Sequence, residues 1–193
     1  TPRLSYGVAV TDIDNDDKFD FIVTGYKYSN LALSYKKNKL RNIIYQNIFT
    51  DQKRQAIGLA ACDVDFDGKE EIYILNTDSF SGKKIYADRL LDLTDNVYID
   101  LFEDNINNGV LNVTAGRSVA CVDRKGNGKY SIYVSNYGGR SRFYTINGKQ
   151  IIDEAPKLNL DKITGGRAIV AGHILSERMD IFASNERGPN FLY

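Results

Sequence analysis

The stretches "GVAVTDIDNDDKFDFIVTGY" (residues 7–26) and "GLAACDVDFDGKEEIYILNT" (58–77) share one pattern: a short apolar strand, an acidic loop and a second apolar strand. Two further copies follow, "SVACVDRKGNGKYSIYVSNY" (118–137) and "RAIVAGHILSERMDIFASNE" (167–186). Their second strands begin at Phe21, Ile72, Ile132 and Ile181. A period of roughly 50 to 60 residues is long enough for four strands and too long for one hairpin, which is the signature of a propeller blade.

The segments between the hairpins supply the remaining strands. "LALSYKK" and "LRNIIY" flank a turn at Asn38, "RLLDL" and "VYIDLF" flank Thr94 to Asn96, and "RFYTI" and "QII" flank Asn147-Gly148, a favoured two-residue hairpin turn. The fourth copy is followed only by "PNFLY", enough for a third strand but not a fourth. Three prolines, 13 tyrosines and nine phenylalanines among 193 residues agree with strands. The expected fold is therefore all-β with almost no helix. It is one β-propeller segment over residues 1–193, with four-stranded antiparallel blades near 4–50, 56–103, 116–154 and 166–193, three and a half to four in all.

The loops carry the chemistry. In the first, Asp12, Asp14 and Asp16 alternate with spacers and Asp20 closes the loop at its ninth position. In the second, Asp63, Asp65, Asp67 and Glu71 take the same places. A hard cation such as calcium binds six to eight oxygens, and this spacing offers four carboxylates to one centre. The backbone carbonyls of Lys18 and Lys69 complete each set, and the carboxylates would repel one another without a cation. Two calcium sites are expected. Gly68 permits the sharp turn of the second loop, and Asp17 must take its left-handed place in the first. The third loop is a degenerate metal loop: Asp123 and Asn127 remain, Lys125 and Ser131 replace two ligands, and the Lys125 ammonium is placed to stand in for a cation. The fourth, from Gly172 to Asp180, keeps only its last ligand, and no metal is expected there.

Other residues narrow the function. Lys and Arg balance Asp and Glu at 25 each, so no overall field draws nucleic acid or an anionic membrane. No apolar run is long enough to span a bilayer, and the opening residues lack the features of a signal peptide, as in a mature or excised chain. His173 is the single histidine, in the degenerate fourth loop, and no nucleophile or phosphate-binding motif accompanies it, so no catalysis is expected. Cys62 and Cys121 precede equivalent loops on neighbouring innermost strands. They read as buried, reduced thiols, with a disulfide between adjacent strands as the alternative. "NVT" at Asn112 is an N-glycosylation sequon. Tyr26, Tyr28, Tyr137, Arg140 and Arg142 follow second strands and suit a carbohydrate-binding rim, while Lys36, Lys37, Lys39 and Arg41 form a basic turn that suits sulfated glycans or plain solvent.

The acidic loops resemble the FG-GAP (VCBS-type) repeats of integrin alpha-chain heads and related secreted propellers. "YGVAVTDID", "ACDVDFDGKEEIYILNT", "AGRSVACVDRKGNGKYSIYVSNY" and "GPNFL" are similar, in order, to segments of a secreted matrix protein of that kind. The resemblance implies an extracellular, calcium-binding propeller that serves matrix or cell-surface interactions without catalysis, its partner a protein or a glycan. It also implies a ring of about seven blades. An arc of half that number exposes apolar blade faces, to be covered by further blades of a longer chain, by a second copy, or by closure as a four-bladed ring through residues 1–5.

Overall fold

The computed structural model describes residues 3–43 and 46–193. Thr1, Pro2, Ile44 and Tyr45 lie outside the described residues, so the end of "LRNIIY" and the first part of the 1–5 segment are not described. The chain is all-β. The first sheet contains β1 (Val8–Thr11), β2 (Asp20–Val23), β3 (Leu31–Lys36) and β4 (Lys39–Asn42), antiparallel and in sequence order. The second contains β5 (Ala56–Cys62), β6 (Glu71–Asn76), β7 (Arg89–Thr94) and β8 (Val97–Asp100) in the same order.

The next two repeats share a sheet. β9 (Gly116–Val122), β10 (Ser131–Arg140), β11 (Arg142–Asn147) and β12 (Gln150–Asp153) form one meander, and β13 (Ile163–Gly172), β14 (Asp180–Asn185) and β15 (Phe191–Leu192) form the other. They join because β10 and β13 are long: Tyr137 to Arg140 run past the end of β9 and pair with Ile163 to Gly165, across an irregularity at Gly138. Among the described residues helix is confined to short 3-10 turns at Asn47–Phe49, Leu101–Glu103 and Asn105–Val110.

Strand alternation explains how the layers stack. Ile72 and Ile74 of β6 face one core with Ile22, Ala32, Phe49, Leu91 and Tyr98, whereas Tyr73 and Leu75 face another with Leu90, Ile132, Val134 and Tyr144. β10 does the same: Ile132 and Val134 point one way, and Tyr133 points into a third core with Phe143, Leu160 and Ile181. A strand buried on both faces must be apolar at successive positions, as "IYIL" and "IYV" are. Each fully buried aliphatic side chain contributes about 1.5–3 kcal/mol relative to exposure.

The first strands of successive repeats lie side by side, β1 against β5, β5 against β9 and β9 against β13. Their approach is close. A Cβ added at Gly7 would stand 2.9 Å from the Cα of Gly58, and one at Gly58 would stand 3.3 Å from the Val119 side chain of β9.

One sequence expectation is corrected here, and two alternatives left open by the sequence are narrowed. Cys62 and Cys121 are not free thiols; they form a disulfide, because the adjacency of β5 and β9 brings their Cα atoms to 6.2 Å. Asn112 does not offer a glycan acceptor on the folded surface, because its side chain is fully buried and its amide nitrogen donates to Asp88 and Asn136. The four-bladed closure is not made in the described residues: Leu4 bridges Tyr26 of its own repeat instead of pairing beside "PNFLY". Both ends of the array keep apolar faces in solvent, Val8 and Val10 on β1, and Val170, Phe182 and Leu192 on the last meander.

Candidate metal centres

The three acidic or degenerate loops have one backbone shape. Positive φ falls on Asn15 and Asp17 in the first, on Phe66 and Gly68 in the second, and on Gly126 and Gly128 in the third, the fourth and sixth positions each time. The first aspartate of each loop closes the turn. Asp12 accepts from the N–H groups of Asp16 (3.1 Å) and Asp17 (2.8 Å). Asp63 accepts from Phe66 (2.6 Å), Asp67 (3.2 Å) and Gly68 (3.0 Å), and Asp123 from Gly126 (2.8 Å), Asn127 (3.2 Å) and Gly128 (2.8 Å). These Asx-type bonds replace the ladder bonds lost in the turn.

In the first loop, one oxygen each of Asp12, Asp14 and Asp20 lies within 4.8 Å of the others; in the second, the same holds for Asp63, Asp65 and Glu71. Oxygens so spaced fit around one calcium ion with bonds of about 2.3–2.6 Å. The fifth-position aspartates stand aside. Asp16 lies 3.2 Å from the Lys18 ammonium, and Asp67 accepts the Lys69 N–H at 2.8 Å. The carbonyl donors expected of Lys18 and Lys69 follow directly after the second left-handed residue of each loop.

The closing carboxylates are buried. Asp20 accepts from the Ile13 N–H at 3.3 Å, and Glu71 from the N–H groups of Val64 (2.6 Å) and Asp65 (3.2 Å). Asp14 Oδ1, Asp20 Oδ1 and Glu71 Oε1 have no hydrogen-bond partner among the described residues. Burial pushes the Glu71 carboxyl up to about 8, helped by the neighbouring charge of Asp65 and opposed by its backbone donors. It raises Asp20 and Asp65 for the same reason. A buried carboxylate with an unpaired oxygen is costly unless a cation joins it, so the donor set fits a hard divalent ion.

The first loop also holds a lysine that the sequence reading placed on a basic tip. Lys36, on β3, sets its ammonium 2.8 Å from Asp14 and 3.8 Å from Asp16. The register of β3 against β2 carries it there, a cross-strand relation that loop spacing does not reveal.

The third loop gathers no cluster of three carboxylates. Its turn rests on Asp123 and on Asn127, which accepts the Lys129 N–H, and among the described residues no bond from the Lys125 ammonium holds it. In the fourth loop Asp180 does the work of a cap, accepting from the N–H groups of Ile174 (3.0 Å), Leu175 (2.6 Å) and Ser176 (3.1 Å) and from the Ser176 hydroxyl (2.8 Å). The Leu175 N–H, followed by the Ser176 hydroxyl, holds the Asp180 carboxyl down at about 2. A depressed carboxylate stabilises the fold above its unfolded value near 3.8 and loses that contribution as pH falls through about 2. NMR titration of the Asp180 carboxyl carbon should show a midpoint near 2; a midpoint near 4 would mean that the cap does not form in solution.

The rim residues do not assemble into one site. Arg140 pairs with Asp161, and Arg142 with Asp153 at 2.8 Å. Tyr28 lies under Arg3 and Tyr26 edge-on to Tyr6, while Tyr137 is buried with the guanidinium carbons of Arg117 and Arg167 each 5.0 Å from its ring centre. His173 is exposed and Lys37, Lys39 and Arg41 are solvated. No helix of the described residues is long and apolar enough to cross a membrane.

No protein-family profile matches the chain. Cartilage acidic protein 1 of Xenopus tropicalis is 44% identical to it over a 216-residue alignment that covers 99% of this chain and 33% of that protein. The proteins of the same name from Homo sapiens and Mus musculus are each 42% identical with the same coverage. The chain thus spans about a third of the length of these curated relatives.

Proposed function

We propose that this chain is a segment of an extracellular β-propeller in which two calcium ions hold the first and second loops and the outer surface serves matrix or cell-surface interactions without catalysis. The observation that carries the metal is the pair of equivalent carboxylate clusters whose buried oxygens lack partners. The propeller reading rests on four meanders whose first strands lie side by side, and on the repeat period. The extracellular reading draws on the cartilage protein relatives and on the Cys62–Cys121 disulfide, a bond that persists in oxidising compartments. The exposed faces of β1 and of the last meander are then where further blades of a longer polypeptide, or a second copy, pack.

At millimolar calcium and a dissociation constant of about 10⁻⁴ M, each site adds about 1.4 kcal/mol to stability. Two sites raise the melting temperature by roughly 5–10 °C for a chain of this size. Scanning calorimetry with calcium and then with chelator should show that difference, and Asp14→Ala combined with Asp65→Ala should abolish it. Equal melting with and without calcium, or an undiminished calcium effect in the double variant, would refute the metal assignment. A lectin-like role through Tyr26, Tyr28, Tyr137, Arg140 and Arg142 is not supported by their placement, since both arginines are held by aspartates.

A further inference from the structure

A cleft of about 520 Å³ opens where the four meanders converge, and residues of all four line it. Tyr6 comes from the segment before β1, Thr77 and Phe80 from beyond the end of β6, Arg117 and Ser118 from β9, and Arg167 from β13. These stand at the entry ends of the first strands, and the metal loops leave from the opposite ends, so the cleft is a separate place on the molecule.

Its charge is unbalanced. Arg167 is paired with Glu186 at 2.7 Å, but Arg117 has no carboxylate in ion-pair range among the described residues. Its terminal nitrogens reach only neutral oxygens, of Phe80, Gly116 and Thr77, and its Nε is buried without a partner. Burial lowers the Arg117 pKa, and the nearby Arg167 charge lowers it further. Among the described residues no acidic side chain lines the cleft, and the carboxylate charge acting on the two arginines is that of Glu186, already paired with Arg167. The Arg117 and Arg167 guanidiniums both ride on the buried Tyr137 ring, which fixes them at one side of the opening.

The walls are flat and apolar beside that charge. Phe80 is 71% exposed, with the Arg117 guanidinium carbon 5.3 Å from its ring centre, Tyr6 is 63% exposed, and Thr77 and Ser118 also line the cleft. A ligand that matches this set carries a carboxylate for the guanidinium pair, a ring face for Phe80 or Tyr6, and hydroxyl groups. We infer that the cleft binds an acidic saccharide through its uronate, with Arg117 as the principal anion contact and Phe80 and Tyr6 as stacking walls. This gives a carbohydrate role to the molecule on residues other than the rim tyrosines and arginines, and it is independent of calcium.

The test is isothermal titration of the 193-residue chain with a hyaluronan tetrasaccharide at low salt. Neutral chitotetraose and a tetra-aspartate peptide are the comparison ligands. The acidic saccharide should bind, and Arg117→Ala and Arg167→Ala should each weaken it about 10- to 100-fold, the loss expected for a charge-assisted hydrogen bond. Phe80→Ala should weaken it several-fold, with an unchanged melting temperature showing that loss of the ring's contacts with Tyr137 and Arg117 leaves the fold intact, and Arg140→Ala should leave binding unchanged. If Arg117→Ala fails to fold, Arg167→Ala and Phe80→Ala decide. Absence of saccharide binding, equal binding of the neutral sugar or the acidic peptide, or indifference to the cleft variants would each overturn the proposal.

Discussion

Replacing Asp88 with alanine is expected to destabilise the folded chain by about 3–5 kcal/mol, the usual cost of leaving one member of a buried ion pair alone. The Lys84 and Asp88 side chains are completely buried and in contact. The Lys84 ammonium also bonds the Asn76 carbonyl at 2.9 Å, and Asp88 accepts from the Asn76 N–H and the Tyr73 hydroxyl, each at 2.7 Å, as well as from Asn112. Asn112 in turn exchanges amide bonds with Asn136, on β10. One carboxylate therefore ties the long connection between β6 and β7 to both the second and third meanders. Denaturant unfolding should show the loss in Asp88→Ala and a comparable one in Lys84→Ala. The double variant Lys84→Met with Asp88→Asn should recover a large part, because no net buried charge remains and the asparagine still accepts bonds. A loss below 1 kcal/mol in Asp88→Ala would mean that water reaches the pair.

Reducing the disulfide is expected to cost about 4 kcal/mol, the chain-entropy value for a loop of this length. Cys62 and Cys121 are 59 residues apart, and the bond clamps β5 to β9 in the middle of the array. Against a total stability of about 5–15 kcal/mol for a typical domain, that is a large share. Urea titration with and without reductant should show the midpoint fall, and Cys62→Ser with Cys121→Ser should reproduce it without reductant. Alkylation of the native chain should leave both cysteines unlabelled; two labelled cysteines would contradict the bond.

The strand–loop–strand repeat was legible because its apolar and acidic residues recur in register, and the gathering of three carboxylates in each of the first two loops was legible because alternate carboxylates are a local pattern. What failed was non-local. The repeat put Cys62 and Cys121 on neighbouring first strands and so named their disulfide as an alternative, but only the packing of β5 on β9 brings the two close enough to bond. Lys36 entered the first loop through the pairing of β3 with β2, and Lys84 lost its solvent only because two meanders close over it. Asn112 carried a sequon whose triplet contains no information about burial. The fused sheet of the last two repeats depends on the ten-residue lengths of β10 and β13, and strand ends are set by their neighbours.

The shared shape of the first three loops has a consequence for how such repeats can change. Left-handed residues at the fourth and sixth positions, with one aspartate gathering the N–H groups, are present in the third loop although its other carboxylates are gone. Asp12 and Asp63 serve both the turn and the carboxylate cluster, whereas the third position can be exchanged, as at Lys125, without loss of the turn. A repeat can drift through substitutions at its third and ninth positions, as at Lys125 and Ser131, while the hairpin it closes stays intact, and on the calcium proposal such changes would decide whether the loop holds a cation. At those two positions Asp14, Asp20 and Glu71 each keep one oxygen without a hydrogen-bond partner among the described residues. An array built in this way can carry charged and uncharged repeats side by side on one scaffold, each tuned without disturbing the next.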